Sequence, residues 1–333
     1  MLSATEVSIL AVLGLVGWYH LLVPSNNADL GSLSTVSDPR TMNLIQKTYP
    51  RPLAQNMAAL THGLTHFFLT GPVDGKRIVL IHGITGVTVE NLVTAASFPQ
   101  VIERLAERGF YVLSYDLYGM GHSSSPGIPY TAETYVLQLR DILNHVGWTK
   151  SILLGFSLGG AIAIQFAQVH PELVEKLVLV APAGLKKGVP GAARIFEVPS
   201  IGEMLFYMIG RRVLGARTRK HEKGLIAEPY KSVFIAMQRL NIYAHPGFLR
   251  TYYQIIRNGP IRFMEPLYES VGKKLGKRVL CIWGRQDTTA VFSEESLVFR
   301  SLMPEAQFLW LEGRHTILAE GVEAVDAIRD FCV

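Results

Sequence analysis

Residues 151–167 read Ser-Ile-Leu-Leu-Gly-Phe-Ser-Leu-Gly-Gly-Ala-Ile-Ala-Ile-Gln-Phe-Ala, and this stretch decides the fold. Residues 151–154 are a short apolar run of the kind that forms a buried strand, while 161–167 carry small and aliphatic residues suited to a helix lying against a sheet. Ser157 therefore stands at a strand-to-helix turn, between Gly155 and Gly159. Such a turn holds its central residue in strained backbone geometry and brings strand and helix so close that side chains at the flanking positions would collide. The strain lifts the hydroxyl out of the sheet's edge, and the positive end of the following helix points at it. A serine so placed is a candidate nucleophile. The plainer reading, a glycine-rich turn with a surface serine, gives way only if partner groups occur at the ends of later strands.

Working outward, aliphatic strands alternate with amphipathic stretches from Ile78 to the C-terminus, which predicts an α/β fold: one mostly parallel sheet with helices on both faces. Residues 66–69 read as an edge strand, and the turn through Gly71-Pro72 and Asp74-Gly75 as a hairpin leading into a strand at 77–81. Further strands are predicted at 111–115, 151–154, 177–180, 279–283 and 308–311, with crossover helices such as 101–108 and 135–146. From about 184 to 274 no run resembles a central strand, and the amphipathic pieces 195–209 and 232–240 suggest helices. This insertion after the sixth conventional strand would lie over the C-terminal ends of the strands, as a cap. The predicted organisation is an N-terminal membrane anchor at 1–24, a linker at 25–55, a core at 56–183 and 275–333, and a helical cap at 184–274.

A serine hydroxyl is a weak nucleophile at neutral pH and needs a histidine to take its proton and an acid to orient that histidine. On an α/β sheet these follow the serine in the order acid, histidine, each at a strand's C-terminal end. After 279–283 comes Gly284-Arg285-Gln286-Asp287, and after 308–311 comes Glu312-Gly313-Arg314-His315. Asp287 and His315 are thus the candidate acid and base; the other nine histidines follow no late strand. An oxyanion needs two backbone donors. The amide of Leu158 is one, and Ile84, in His82-Gly83-Ile84-Thr85-Gly86 after the strand 77–81, is the other. Asp116, which opens the glycine-rich turn 116–123, reads as architectural, bonding nearby loop amides.

At these residues the chain resembles the α/β-hydrolase superfamily, specifically its lid-bearing serine hydrolases of the monoacylglycerol lipase and esterase kind. The resemblance runs from about Thr65 to the C-terminus and is carried by Ile81-His82-Gly83, 116–123, 155–160, 284–287 and 313–315 as an ordered set. It implies a nucleophile at Ser157, an acid at Asp287, a base at His315 and oxyanion amides at Ile84 and Leu158. The chain departs from the pattern where many relatives carry arginine, at Tyr118 or Met120. Epoxide hydrolases and haloalkane dehalogenases of the same fold use an aspartate at the elbow, and Ser157 argues against both.

Composition limits the partners. A net charge of +5 without a long basic block disfavours nucleic acid. Cys281 and Cys332 lack metal-ligand spacing and read as buried reduced thiols, no Asn-x-Ser/Thr acceptor occurs, and no phosphate-cradling loop is evident. No metal or cofactor is expected, with water as the only cosubstrate. Residues 7–23 hold no formal charge and are just long enough for a single-pass anchor, with Trp18 and Tyr19 near one interface. Arg40, Lys47 and Arg51 after it lean toward a cytosolic catalytic domain. The rivals are a cleaved signal peptide, leading to secretion, and a buried core helix. In the cap, Phe196, Met204, Leu205, Phe206, Met208 and Ile209 precede the basic run Arg211, Arg212, Arg217, Arg219, Lys220 and Lys223. This is either a folded helix with a solvated cationic neighbour or a lid that touches a bilayer. The expected function is membrane-associated hydrolysis of a lipophilic ester, monoacylglycerol- or lysophospholipid-like, through an acyl-enzyme. The alternatives are a C–C bond hydrolase of a diketone-like metabolite and a catalytically silent binding module.

Overall fold

The structure is a computed structural model that describes residues 13–14, 16–25, 27–48, 56–84, 99–188, 191–222, 230–320 and 322–333. Strands β1 (Met57–Leu60), β2 (Gly63–Thr70), β3 (Lys76–Ile81), β4 (Phe110–Tyr115), β5 (Ser151–Phe156), β6 (Val174–Val180), β7 (Val279–Gly284) and β8 (Gln307–Leu311) form one sheet. Their order across it is β1-β2-β4-β3-β5-β6-β7-β8. The pairs β1/β2 and β2/β4 are antiparallel, and every pair from β4 to β8 is parallel.

The near-continuous apolar strands follow from burial on both faces. Because side chains alternate along a strand, each run feeds two cores at once. Val79, Ile81, Leu153, Leu177, Leu179 and Cys281 join one core, under the helices Ala132–His145, Leu158–Val169 and Glu265–Leu275. Ile78, Leu80, Ile152, Leu154, Val178 and Ile282 join the other, under Pro99–Glu107 and Val322–Cys332. A run that alternated polar and apolar residues could satisfy only one of these faces.

The expected hairpin between residues 66–69 and 77–81 does not form. β2 pairs with β1 on one side and with β4 on the other, in the register Phe67↔Tyr115, so it is not the edge strand either. β3 instead sits between β4 and β5. A short connection suggests pairing only locally, and here the apolar β3 is fully covered only in the middle of the sheet.

Between β6 and β7 the chain forms the 3₁₀ turn Gly191–Glu197 and the helices Ile201–Glu222, Tyr230–Arg239 and Phe248–Asn258, before Glu265–Leu275. Phe206 packs against Phe196, Tyr252 and Tyr253, which closes the insertion around its own aromatic cluster. The last helix differs from the predicted cap boundary at 274. Tyr268, Val271 and Leu275 belong to the sheet's core, and Ser270 donates to Gln168 on the helix that follows β5 at 2.9 Å. Glu265–Leu275 is thus a crossover helix of the core. Arg211, Arg212, Arg217 and Arg219 are exposed on Ile201–Glu222, and Lys223 lies outside the described residues.

The N-terminal expectations are corrected. Among the described residues no helix is long and apolar enough to cross a membrane, which overturns the single-pass anchor and the localisation built on it. Residues 1–12 and 15 of the predicted anchor lie outside the described residues. Its described part is tied to protein: the Tyr19 hydroxyl donates to Glu203 Oε2 on the cap at 2.9 Å, and Val23 is buried. The predicted linker also carries structure. Pro39–Thr48 is a helix, Leu33 and Ile45 are buried in the core, and Leu33 N donates to Gly121 O at 3.0 Å. Residues 49–55 of that linker are not described. The fully buried Arg250 fastens the segment by donating to the carbonyls of Ser25, Ala28, Ser125 and Pro126. Four carbonyls from two loops leave no local pattern in the sequence, so this staple was not legible there.

Candidate active site

Ser157 directly follows β5 and caps the helix Leu158–Val169 with φ 52° and ψ −115°, a conformation that costs a non-glycine residue on the order of 1–3 kcal/mol. The surroundings hold it there. Its N–H donates to Val180 O at 3.0 Å, and its carbonyl accepts from Gly160 N at 2.9 Å and Ala183 N at 2.9 Å. The helix lies so near β3 that a Cβ on Gly159 would sit 2.0 Å from the carbonyl oxygen of Ile81. Backbone cannot yield there as a side chain can. Gly159→Ala is therefore expected to destabilise the fold by about 3 kcal/mol or more, read as a lowered denaturant midpoint at unchanged slope. A midpoint equal to that of the parent chain would refute the packing argument.

The structure brings three of the sequence-predicted residues together. His315 Nε2 lies 3.1 Å from Ser157 Oγ, and His315 Nδ1 lies 2.7 Å from Asp287 Oδ2. Asp287 is buried, and its other oxygen accepts from Thr289 N at 2.7 Å and Ala290 N at 2.9 Å. Trp283 Nε1 donates to Ala290 O at 3.0 Å, which anchors that loop to the end of β7. With the carboxylate so occupied, Oδ2 accepts from Nδ1–H, and Nε2 is left as the acceptor for the serine proton. The Phe156 ring lies 5.1 Å from the imidazole, giving it an apolar flank.

Of the two oxyanion candidates, Leu158 is the first residue of the helix after Ser157 and is buried. Ile84 is half-buried at the end of the described loop after β3. That loop abuts the serine, since a Cβ on Gly83 would lie 3.2 Å from Ser157 Cβ. Thr85 and Gly86 lie outside the described residues.

What holds this loop is His82, whose part the sequence reading missed. Leu117 N donates to His82 Nε2 at 3.0 Å, so Nε2 carries no proton and Nδ1–H donates to Gly83 O at 2.8 Å. Burial pushes this imidazole down and keeps it neutral. The residue thus ties the loop after β3 to the turn after β4. In that turn Asp116 Oδ2 accepts from His122 N and from His66 Nδ1, each at 2.9 Å. Burial alone would raise its carboxyl, but the hydrogen bond from His66 outweighs it and holds the group well below the usual carboxylate range.

His122 and His245 are also buried, and burial pushes both from 6.5 down to about 3. The folded values lie below the unfolded one, so the unfolded chain binds more protons as pH falls through about 6.5. Stability is therefore lost on acidification, by about 1.4 kcal/mol per pH unit for each histidine well inside that window. Denaturant midpoints at pH 7 and pH 5 check this: the two histidines together are expected to make the acidic one lower by about 4 kcal/mol in stability. Equal midpoints would refute it. Despite this crowd of imidazoles, no group of three or more His, Cys, Asp or Glu among the described residues is placed to hold a metal ion.

Comparison with known proteins agrees with this architecture. The family described as alpha/beta hydrolase fold matches residues 76–322. An uncharacterized protein of Mycobacterium tuberculosis is 34% identical over 132 residues, 40% of this chain and 36% of that protein. The human serine hydrolase-like protein is 34% identical over 112 residues, 33% of this chain and 51% of that protein. The matched stretches thus span about a third to a half of these relatives. Among solved structures, a membrane phospholipase A described as a bacterial virulence factor has the same fold, with a TM-score of 0.65 at 20% identity over 98% of this chain and 96% of that one. With the strand order, the serine elbow and a family match across most of its length, the chain belongs to the alpha/beta hydrolase fold family.

Proposed function

We propose that this protein is a serine hydrolase that cleaves lipophilic carboxylic esters, monoacylglycerol- or lysophospholipid-like, through an acyl-enzyme at Ser157. The reading rests on one observation: a continuous relay from Ser157 Oγ through His315 to Asp287, at 3.1 and 2.7 Å. His315 Nε2 takes the hydroxyl proton as Oγ attacks the ester carbonyl, and Asp287 stabilises the imidazolium. The oxyanion of the tetrahedral intermediate is received by the amides of Leu158 and Ile84. Collapse expels the alcohol, which leaves with the proton from His315. Water then repeats the sequence on the acyl-enzyme and releases the acid. The Phe156 ring against His315 and the partly buried Ile84 on the loop beside Ser157 give the site an apolar flank, which supports an apolar substrate. The identity with a human serine hydrolase-like protein supports the choice of nucleophile.

A fluorophosphonate probe is expected to label the full chain and not its Ser157→Ala variant, and a substrate panel is expected to favour long-chain monoacylglycerols and lysophospholipids over short water-soluble esters. Preference for the short esters would remove the lipophilic part of the assignment. Turnover of a vinylogous diketone without any ester would replace it with C–C bond hydrolysis.

A further inference from the structure

Outside the serine site, a cavity of about 300 Å³ opens where three distant parts of the chain meet. Asn27 comes from the N-terminal segment, Glu203 from the first cap helix, and Tyr253, Gln254, Arg257 and Asn258 from the helix Phe248–Asn258, with the turn 127–129 closing one side. None of Ser157, His315 or Asp287 lines it. The volume would hold on the order of ten waters, enough for a small polar molecule and too little for a long acyl chain.

The charges in its wall are arranged unusually. Glu203 is only 7% exposed, and its carboxylate accepts from the Tyr19 hydroxyl at 2.9 Å. Burial, with the carboxylate beside it, pushes the Tyr19 phenol up to about 12, so the phenol keeps the proton it donates. Arg257 donates to the Tyr253 hydroxyl at 3.3 Å and stands 5.7 Å over that ring. Among the described residues these two opposite charges are not paired with each other. A neutral phenol compensates little of the desolvation of a buried carboxylate, whereas an ammonium ion would compensate much more. Gln254 Oε1 already accepts from Tyr130 N at 3.0 Å, which turns the amide so that its NH₂ remains as a donor.

We propose that this cavity binds a small zwitterion, its ammonium group at Glu203 and its carboxylate or phosphate at Arg257, with the amide side chains of Asn27, Gln254 and Asn258 as further partners. Both kinds of zwitterion, a free amino acid and a phosphoethanolamine-type headgroup, present this pair of charges. A ligand there contacts the N-terminal segment, the cap and the helix Phe248–Asn258 at once, so its binding stabilises their mutual packing. The inference is independent of the hydrolytic reading.

The test uses the full chain carrying Ser157→Ala, so that turnover contributes nothing, titrated calorimetrically with β-alanine and with phosphoethanolamine. Ethylamine, acetate and methyl phosphate serve as single-charge controls. At least one zwitterion is expected to saturate, with each single-charge control at least about tenfold weaker. Glu203→Gln, which keeps an acceptor for Tyr19, and Arg257→Gln are each expected to weaken binding at least about tenfold while near-ultraviolet circular dichroism stays unchanged. The tighter of the two zwitterions assigns the source. The proposal is overturned if neither saturates below about 10 mM, or if the single-charge controls bind as well. The controls need no cap variant, so they decide the matter even where a substitution disturbs the fold.

Discussion

Ser157→Ala is expected to lower kcat for ester hydrolysis by about a millionfold while leaving the denaturant midpoint within about 0.5 kcal/mol of the parent chain. The change removes one oxygen from a residue whose backbone is already fixed by Val180, Gly160 and Ala183, so the elbow itself has no reason to relax. What disappears is the covalent route. Residual turnover would come from water acting against the amides of Leu158 and Ile84, a contribution that groups acting as a unit leave behind when one of them is lost. For the same reason Ser157→Ala combined with His315→Ala should be no slower than either alone. Pre-steady-state assays supply the direct reading: under the proposed mechanism the parent chain is expected to give a burst of alcohol equal to one acyl-enzyme per chain, and the variant none. A variant that retained a tenth of the parent rate would remove Ser157 from the mechanism.

Asp287→Asn follows with an expected loss of about ten-thousandfold in kcat and little change in KM. An asparagine oxygen could still accept from Thr289 N and Ala290 N, so the loop would keep its shape. Its NH₂ would then face His315 Nδ1, 2.7 Å away in the parent chain. Two donors cannot share that contact, so the imidazole changes tautomer, and Nε2–H now points at the serine. A ring in that state cannot take the proton. The predicted signature is an unchanged stability with a collapsed rate, and a rate within tenfold of the parent would sink the orienting role of Asp287.

Much of this architecture was legible because it is written in short periods. Gly155-Phe156-Ser157-Leu158-Gly159 between an apolar run and a small-residue helix specifies its turn locally, and Asp287 and His315 are legible because each follows an apolar strand by one short loop, the first strand buried and the second half-buried. Strand neighbours were harder. The turn after residues 66–69 suggested a hairpin, yet β2 pairs with β4, because sheet order is set by which surfaces end up covered rather than by the length of a connection. The helix Glu265–Leu275 read as cap for a related reason: its apolar stripe would serve equally well against the sheet or against other cap helices.

The N-terminal segment shows the limit most clearly. An uncharged apolar run satisfies a bilayer and a protein surface alike, and only the partner distinguishes them. Tyr19 against Glu203, Val23 buried, Leu33 and Ile45 in the core and Arg250 holding the carbonyls of Ser25 and Ala28 are contacts between residues far apart in the chain. Likewise His122 and His245 follow no late strand and His82 reads only as part of the loop after β3, although burial pushes all three imidazoles down and His82 fastens the loop beside the nucleophile.

The sequence by itself determined the layered α/β architecture, the strand-to-helix serine turn and the two strand-end partners, since apolar periodicity and turn chemistry act over a few residues. Only the tertiary structure decided that three side chains just beyond β5, β7 and β8 meet within hydrogen-bond distance, that Tyr19 and Val23 of the N-terminal run are held against protein, and that Glu203 and Arg257 face one cavity. Those outcomes depend on long-range packing, where the free energy of a contact belongs to two segments at once and neither segment alone records it.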